Sequence, residues 1–264
     1  KGCSALENID LSTCNIENIK SYAFSECTSL TSVKFPSSLR QIYGNAFSQN
    51  SALQAVTFND GLDGIGGSAF SNTGLTTVTL PNSLTYLGSS AFSSCKDLAS
   101  ISIGTGITEI PYNCFTGCNA LTSVDLPEHV TSIGGGAYSY CNGLVSITLP
   151  DHIQTVGASA FASCSNLEEV VIPDNVTTLG KGAFQYDKKL KHVQIGKGVA
   201  TLETDLFNGC ESLSSVELSE GLTAVKKFVF QYCSSLKTVT FPSTLETLSN
   251  STCFGWSPDS LYFL

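Results

Sequence analysis

Two of the three histidines are the residues whose type and spacing most readily suggest chemistry. His129 follows Glu128, His152 follows Asp151, and the two histidines are 23 residues apart. If this offset places them in neighbouring repeats, the imidazoles and carboxylates would lie about one strand spacing, ~4.8 Å, apart. Such a group could bind a metal ion or respond to pH. The alternative is a pair of polar residues in equivalent exposed turns.

The chain carries none of the short motifs on which most predictions of catalysis depend. It has no nucleophile elbow, zinc-ligand spacing, phosphate-binding loop or dinucleotide fingerprint. The third histidine, His192, stands between Lys191 and Val193, and the repeat brings no Ser, Cys or carboxylate partner to it. We therefore expect no catalytic residue, no cofactor and no metal site, and we predict that the chain is not an enzyme.

The eleven cysteines are a second candidate for chemistry, because such a number in a small secreted protein predicts disulfides. Stacked on neighbouring coils, cysteines at one repeat position would have parallel Cβ vectors ~4.8 Å apart, which is longer than a disulfide prefers. We therefore expect buried thiols that pack as small hydrophobic groups. Cys114 and Cys253, which replace a core alanine, are predicted to be packing residues as well. A metal site, or a disulfide through Cys14 or another cysteine near the N-terminus, is the alternative. The eight cysteines that share one position, three residues before a leucine, are Cys3, Cys27, Cys95, Cys118, Cys141, Cys164, Cys210 and Cys233.

A column of leucines reveals the internal repeat that must position these residues. From Leu75 onward a leading leucine recurs every 23 residues, and Val or Ile follows three residues later. A pair such as Ala91-Phe92 closes each repeat, and Tyr138 is the one replacement for Phe. A regular period of this length predicts a solenoid whose coils bury their apolar face only against each other. The column consists of Leu6, Leu30, Leu53, Leu75, Leu98, Leu121, Leu144, Leu167, Leu190, Leu213 and Leu236.

The spacing within one repeat predicts the elements of each coil. In residues 121–127 the alternation Val124, Asp125, Leu126 is typical of a short strand with one buried face, and Pro127 ends it. A second short extended piece follows at 130–133, and the Gly-rich stretch after it predicts an irregular or short helical turn. The fold class is therefore an α/β-type repeat, a solenoid of about eleven 23-residue coils with short parallel strands.

The repeat resembles a known family. Leu6-x-x-Ile9-x-Leu11-x-x-Cys14 matches the general leucine-rich pattern, and the closing Gly-x-x-Ala-Phe-x-x-Cys is similar to the BspA-like leucine-rich repeats of bacterial and protist surface proteins. The departures are local: Asn50 and Asp187 replace the closing cysteine, and the repeat after Phe70 is one residue short. The resemblance implies a cell-surface or secreted recognition module, an adhesin for host matrix or cell-surface proteins.

Charge excludes some classes of partner. The net charge is −9, and between Arg40 and Lys181 the only basic residue is Lys96. Because phosphate binding depends on Lys and Arg, we expect no nucleic-acid partner. No run of about 18 apolar residues is present, so we expect no membrane insertion in this segment. Acidic residues from Asp125 to Asp174 could steer a basic partner or could simply be solvated.

The outward positions of the leading strands are the candidate binding site. Short side chains on a wide, rigid sheet suit a protein partner that supplies its own long side chains, and they are poorly suited to enclosing a small substrate. A flat threonine array that matches ice, or merely solvated strand residues, are the alternatives. The candidate residues are Thr77, Thr79, Ser100, Ser102, Ser123, Asp125, Ser146, Thr148, Glu169 and His192.

We thus predict a single solenoid domain over 1–264, a fragment or mature part of a longer chain, that acts as a non-catalytic protein-binding scaffold. Two rival functions remain open. The chain could be the recognition arm of a larger enzyme, or a self-associating structural surface protein that assembles through a twelfth strand at Leu261–Leu264.

Overall fold

The computed structural model describes residues 1–249, where short parallel strands alternate with turns. Contacts divide the chain into two compact units, Lys1–Val130 and Thr131–Leu264, which are described separately. Each unit is a β-solenoid in which paired strands of neighbouring coils are offset by about 23 residues. The predicted repeat fold is therefore confirmed, whereas the single domain over 1–264 stays a prediction. Cys253 and the proposed twelfth strand lie outside the described residues.

In the first unit, each coil contributes one leading strand and one shorter second strand. The leading strands pair in parallel as β1-β3-β5 and β7-β9, and the second strands pair as β2-β4-β6-β8. Two separate faces of the coil are therefore held by backbone ladders. The strands are β1 (Asn8–Asp10), β2 (Asn18–Ile19), β3 (Ser32–Lys34), β4 (Gln41–Ile42), β5 (Ala55–Thr57), β6 (Gly64–Ile65), β7 (Thr77–Thr79), β8 (Tyr86–Leu87), β9 (Ser100–Ser102) and β10 (Glu109–Ile110).

The second unit repeats this design, and three of its four described leading strands have four residues instead of three. Its leading strands form the parallel sheet β12-β14-β16-β18, while the second strands pair as β11-β13-β15 and β17-β19-β20. The strands are β11 (Ser132–Ile133), β12 (Ser146–Thr148), β13 (Thr155–Val156), β14 (Glu169–Ile172), β15 (Thr178–Leu179), β16 (His192–Ile195), β17 (Thr201–Leu202), β18 (Ser215–Leu218), β19 (Ala224–Val225) and β20 (Thr247–Leu248).

Proline follows four of the nine leading strands in the described chain, β3, β7, β12 and β14, where its missing N–H prevents the ladder from continuing. Strand β7 ends two residues before Pro81, and β12 ends two residues before Pro150. Each proline carbonyl then accepts a hydrogen bond from the N–H three residues later, from Leu84 and Ile153, both at 3.1 Å. The proline thus converts the strand into a turn that returns the next apolar residue to the core.

The predicted strand at Val124 is wrong. Ser123 and Asp125 are exposed and Leu126 is buried, so the alternation of burial is present, but residues 122–126 join no strand ladder. Burial of alternate side chains requires only packing on one side. A strand also requires a neighbour at the correct spacing and register, which the alternation of residue types does not specify.

The turn before each aromatic residue is irregular, the first of the two predicted forms. Asn45, Phe47 and Gln49 donate their N–H groups to the next coil at 2.8–3.0 Å, whereas Ala46 and Ser48 donate to the carbonyl three residues back, at 3.2 Å. Asn45 and Gln49 have φ of 57° and 64°, in the left-handed region. Because every second N–H bonds to the neighbouring coil, a helical pattern cannot continue.

The closing aromatic rings form a stack through the core of each unit. In the second unit Tyr138, Phe161, Phe184, Phe207 and Phe230 have successive ring centroids 5.4–5.9 Å apart and nearly parallel planes. In the first unit the rings from Phe24 to Phe115 stack in the same way, at 5.3–6.1 Å. Offset stacking of this kind adds to the gain from burial, so the aromatic position joins the coils in both units.

The cysteine column packs as predicted, with thiols that also donate hydrogen bonds. The Sγ atoms of Cys95 and Cys210 donate to the carbonyls of the preceding aromatic residues, Phe70 and Phe184, both at 3.1 Å. All column members except Cys3 are buried, and Cys3 and Cys14 are exposed. Burial raises the pKa of the thiols at Cys95, Cys164 and Cys210, so these groups are unreactive packing residues.

We expect Phe184→Ala to lower the free energy of unfolding by about 3–5 kcal/mol, because Phe184 is fully buried between two rings. Urea unfolding followed by circular dichroism measures this loss. The matched control is Tyr232→Ala, which removes a ring that is 65% exposed and should change stability by at most about 0.5 kcal/mol. Equal effects of the two substitutions would show that the stack does not hold the coils together.

Candidate binding surface

In the first unit the structure brings four predicted residues together on one exposed face. Thr77 pairs with Ser100 and Thr79 pairs with Ser102 across β7 and β9. All four are exposed, while Val78, between the two threonines, is buried. The pleat therefore places the hydroxyl groups outward in two rows along the solenoid. Ser123 and Asp125, although exposed, are not part of a strand face.

In the second unit the outward positions form two rows across four strands. Ser146 pairs with Glu169, Glu169 with His192, and His192 with Ser215. The second row starts at Thr148 and continues through the equivalent positions of the next strands. Ser146, Thr148 and Glu169 are exposed and His192 is half-buried. This unit therefore presents hydroxyl, carboxylate and imidazole groups on a fixed grid.

The charges of this second-unit face are partly paired. His192 Nε2 lies 3.8 Å from Glu217 Oε1, so the prediction that the repeat brings no carboxylate partner to His192 is wrong. The pairing of neighbouring strands places the two side chains on the same face. Next to the sheet, Lys191 Nζ donates to Glu168 at 2.7 Å, and this contact lowers the pKa of the Glu168 carboxyl. Asp174 contacts Lys197 at 3.6 Å. Pairing of two acidic residues with lysines leaves less unbalanced charge for steering a basic partner than the sequence suggests.

Sequence reasoning missed the outward residues of β1 and β3, which extend the first-unit face. Ser32 donates to Asn8 at 2.7 Å, and Lys34 contacts Asp10 at 3.1 Å. Hydrogen bonds from Ser12 and from Lys34 lower the pKa of Asp10 to about 2, so this ion pair is present across the neutral pH range. The repeat itself was a sufficient signal, because these residues occupy the same positions as Thr77 and Thr79.

The two histidines that suggested chemistry fall in different units. His129 Nε2 lies 3.0 Å from the carbonyl of Gly104, one coil earlier. His152 lines a depression of about 450 Å³ with Asp151, and its buried Nε2 has no partner among the described residues. Within residues 1–249 no group of three or more His, Cys, Asp or Glu is arranged to hold a metal ion. No set of metal ligands among these residues therefore supports the hypothesis of a metal site at the two histidines.

Comparison with known proteins identifies the repeat. The chain matches the family described as the BspA type leucine rich repeat region. The match comprises six copies and covers residues 1–99, 63–190 and 154–261. The chain belongs to the BspA-type leucine-rich repeat family. The family describes a repeat scaffold. No curated protein matches the chain.

Solved structures of leucine-rich repeat proteins are similar to this chain. A leucine-rich repeat protein from Bacteroides ovatus is 25% identical with a TM-score of 0.74, over 92% of this chain and 69% of that one. The T. pallidum leucine-rich repeat protein is 29% identical with a TM-score of 0.58, over 64% and 79%. A leucine rich cell surface protein from Faecalibacterium prausnitzii is 24% identical with a TM-score of 0.53, over 91% and 83%, and shows the fold alone. The described part of the chain contains no helix that is both long and apolar enough to cross a membrane.

Three coils of the described chain depart from the BspA-type closing cysteine, with Asn50, Thr73 and Asp187 in its place, and the consequences at Asn50 and Asp187 differ. The Asn50 side chain both accepts and donates a hydrogen bond at the closing position. Its Oδ1 accepts from the Cys27 N–H at 2.7 Å, and its Nδ2 donates to the Phe24 carbonyl at 2.9 Å. Asp187 Oδ1 likewise accepts from the Cys164 N–H at 2.7 Å, but its Oδ2 is buried without a partner. An ionised carboxylate has no hydrogen to donate, so only the acid form can act as Asn50 does.

The carboxyl of Asp187 is consequently sensitive to pH. Burial raises its pKa well above the ordinary value, although the hydrogen bond from Cys164 opposes this shift. The Asp187 carboxyl therefore binds its proton more tightly in the folded chain than in the unfolded chain. The resulting stability is fully present below the unfolded pKa of about 3.9, and it is lost as the pH rises through the raised folded pKa.

We expect Asp187→Asn to raise the free energy of unfolding at neutral pH by about 1–3 kcal/mol, since the amide supplies the missing donor without a charge. Urea unfolding at a series of pH values measures the difference between the variant and the original chain. This difference should shrink as the pH falls, because Asp187 then becomes protonated. The reciprocal control, Asn50→Asp, should destabilise the chain at neutral pH. A stability gain in the D187N variant that does not change with pH would contradict the assignment.

Proposed function

We propose that this chain is a non-catalytic scaffold that holds another protein on the face formed by its leading strands. The observation that carries the proposal is the regular grid of exposed outward residues, such as Thr77 paired with Ser100 and Ser146 paired with Glu169. Parallel ladders fix the spacing of this grid before a partner arrives. A preorganised surface loses little conformational entropy on binding, and this favours affinity.

The chemistry of the face favours a macromolecular partner. Its outward side chains are short, and the residues between them, such as Val78 and Ile147, are buried in the core. No deep apolar pocket is formed by such a sheet, so a small substrate would remain largely exposed. A protein that contributes large aromatic or arginine side chains could cover the face and bond to its hydroxyl and carboxylate groups.

We further propose that the chain acts at the cell surface or after secretion, as an adhesin for host matrix or cell-surface proteins. The support is the family, because the resemblance to BspA-like repeats implies surface proteins of bacteria and protists. The net charge of −9 is consistent with a protein partner and disfavours nucleic acid.

The test combines a binding panel with variants of the strand face. The original chain should bind at least one of a set of purified, immobilised extracellular-matrix proteins in biolayer interferometry. The double variant Ser146→Arg with Glu169→Arg should weaken that binding at least tenfold, because two long side chains would prevent close contact. Its stability should change by at most about 0.5 kcal/mol, as is usual for exposed positions.

Thr178→Arg is the matched control for this test, since Thr178 is exposed on β15 of the same unit but belongs to the second-strand sheet. It should leave binding unchanged. Equal binding by the double variant and the original chain would exclude this face as the contact surface. Failure of every matrix protein to bind would exclude the host-matrix partner.

A further inference from the structure

One coil of the first unit lacks a turn that its neighbours have. In the flanking coils two residues separate the closing residue from the leading leucine, and a turn forms, with Leu53 N–H donating to Asn50 at 3.0 Å and Leu98 N–H donating to Cys95 at 3.1 Å. Between Thr73 and Leu75 there is a single residue, Gly74. The one-residue deletion therefore removes a projecting turn and leaves a notch between two intact turns.

The glycine is required by how closely the shortened coil approaches its neighbour. A Cβ atom on Gly74 would clash with the backbone carbonyl oxygen of Ser51. Thr73, which replaces the closing cysteine, is buried, and its hydroxyl donates to the Phe70 carbonyl at 2.9 Å. Thr73 and Gly74 thus form a fixed floor. The turns on either side are two coils apart, about 9.6 Å by strand spacing, so the notch is about one coil thick.

The notch is part of a groove of about 850 Å³ whose walls carry unused hydrogen-bonding groups. Within residues 1–249 the side chains of Gln49, Ser51, Asn72 and Ser94 line this groove and have no hydrogen-bond partner. In the second unit, some polar side chains of the equivalent turns bond to each other. There, Ser165 donates to Asn142 at 2.8 Å and Lys189 donates to Asn166 at 2.8 Å. The groove therefore differs from those bonded turns of the second unit both in its shape and in its unbonded hydrogen-bond donors and acceptors.

The chemistry of the walls restricts the ligand. Amides and hydroxyls both donate and accept hydrogen bonds, as the hydroxyl groups of a sugar do. The only charged groups among the described residues of the wall are Lys96 beside Asp97 and Glu26, which contacts Lys1 at 3.1 Å, so neither sign of charge dominates. No large apolar side chain of the described chain lines the groove, whereas a peptide that binds through side-chain anchors needs apolar pockets.

The geometry points to a binding site for a neutral saccharide in this groove, with Gln49 and Asn72 as the principal hydrogen-bonding residues. The site is separate from the strand face and does not depend on the protein-binding function proposed above. One sugar residue would enter the notch over Thr73 and Gly74, and neighbouring sugars would follow the groove.

Isothermal titration with maltohexaose, cellohexaose, xylohexaose and mannohexaose, each used separately, tests this assignment. At least one of these neutral oligosaccharides should bind with a Kd below about 1 mM. The double variant Gln49→Ala with Asn72→Ala should weaken this binding at least tenfold, because two bidirectional hydrogen-bonding groups are lost. Gln54→Ala is the matched control, since Gln54 is exposed in the same unit but does not line the groove; it should leave the Kd unchanged.

A second variant tests the role of the deletion. Inserting one serine between Gly74 and Leu75 restores the usual repeat length and should fill the notch, which would abolish saccharide binding. If the insertion prevents folding, the alanine variants alone decide the outcome. The assignment is overturned if none of the four oligosaccharides binds, if binding is insensitive to the double alanine variant, or if the groove instead binds an uncharged peptide added as a competitor.

Discussion

The structure depends on one constraint, the backbone hydrogen bonds that hold each coil in register with the next. These bonds occur on the leading strand, on the second strand and in the turn before the aromatic residue, where every second N–H is donated to the neighbouring coil. Once register is fixed, residues 23 positions apart occupy equivalent environments. Stacks of leucines, rings and thiols follow from this geometry, since no coil can bury its own apolar face.

The closing position illustrates how strictly the register acts on individual residues. A carbonyl of the preceding aromatic residue needs a donor there, and Cys164, Cys210 and Asn50 all supply one. Asp187 fits the same space but lacks the hydrogen when ionised, so a substitution that is conservative in volume leaves a buried oxygen without a partner. The requirement is for a donor rather than for a thiol.

Departures from the repeat give the chain surface features that the regular coils do not have. A perfectly regular solenoid presents the same flat face along its length, as the rows from Thr77 to Ser100 and from Ser146 to Glu169 illustrate. The shortened coil at Gly74 interrupts this regularity and creates a depression with its own set of polar groups. Regular positions therefore suit broad contact with a protein, and an irregular position suits selective contact with a smaller ligand.

The sequence by itself determined the coil length, the buried columns and the outward positions, because each depends on which residue type recurs at which spacing. It did not determine that residues around Val124 lack a ladder, since hydrogen bonding between strands depends on the distance of a neighbour in space. It identified the deletion after Phe70 but not the groove, because the absence of one residue becomes a cavity only when intact turns stand on both sides. Likewise Asp187 was visible as a replacement, and tertiary packing decided that its second oxygen would be buried alone.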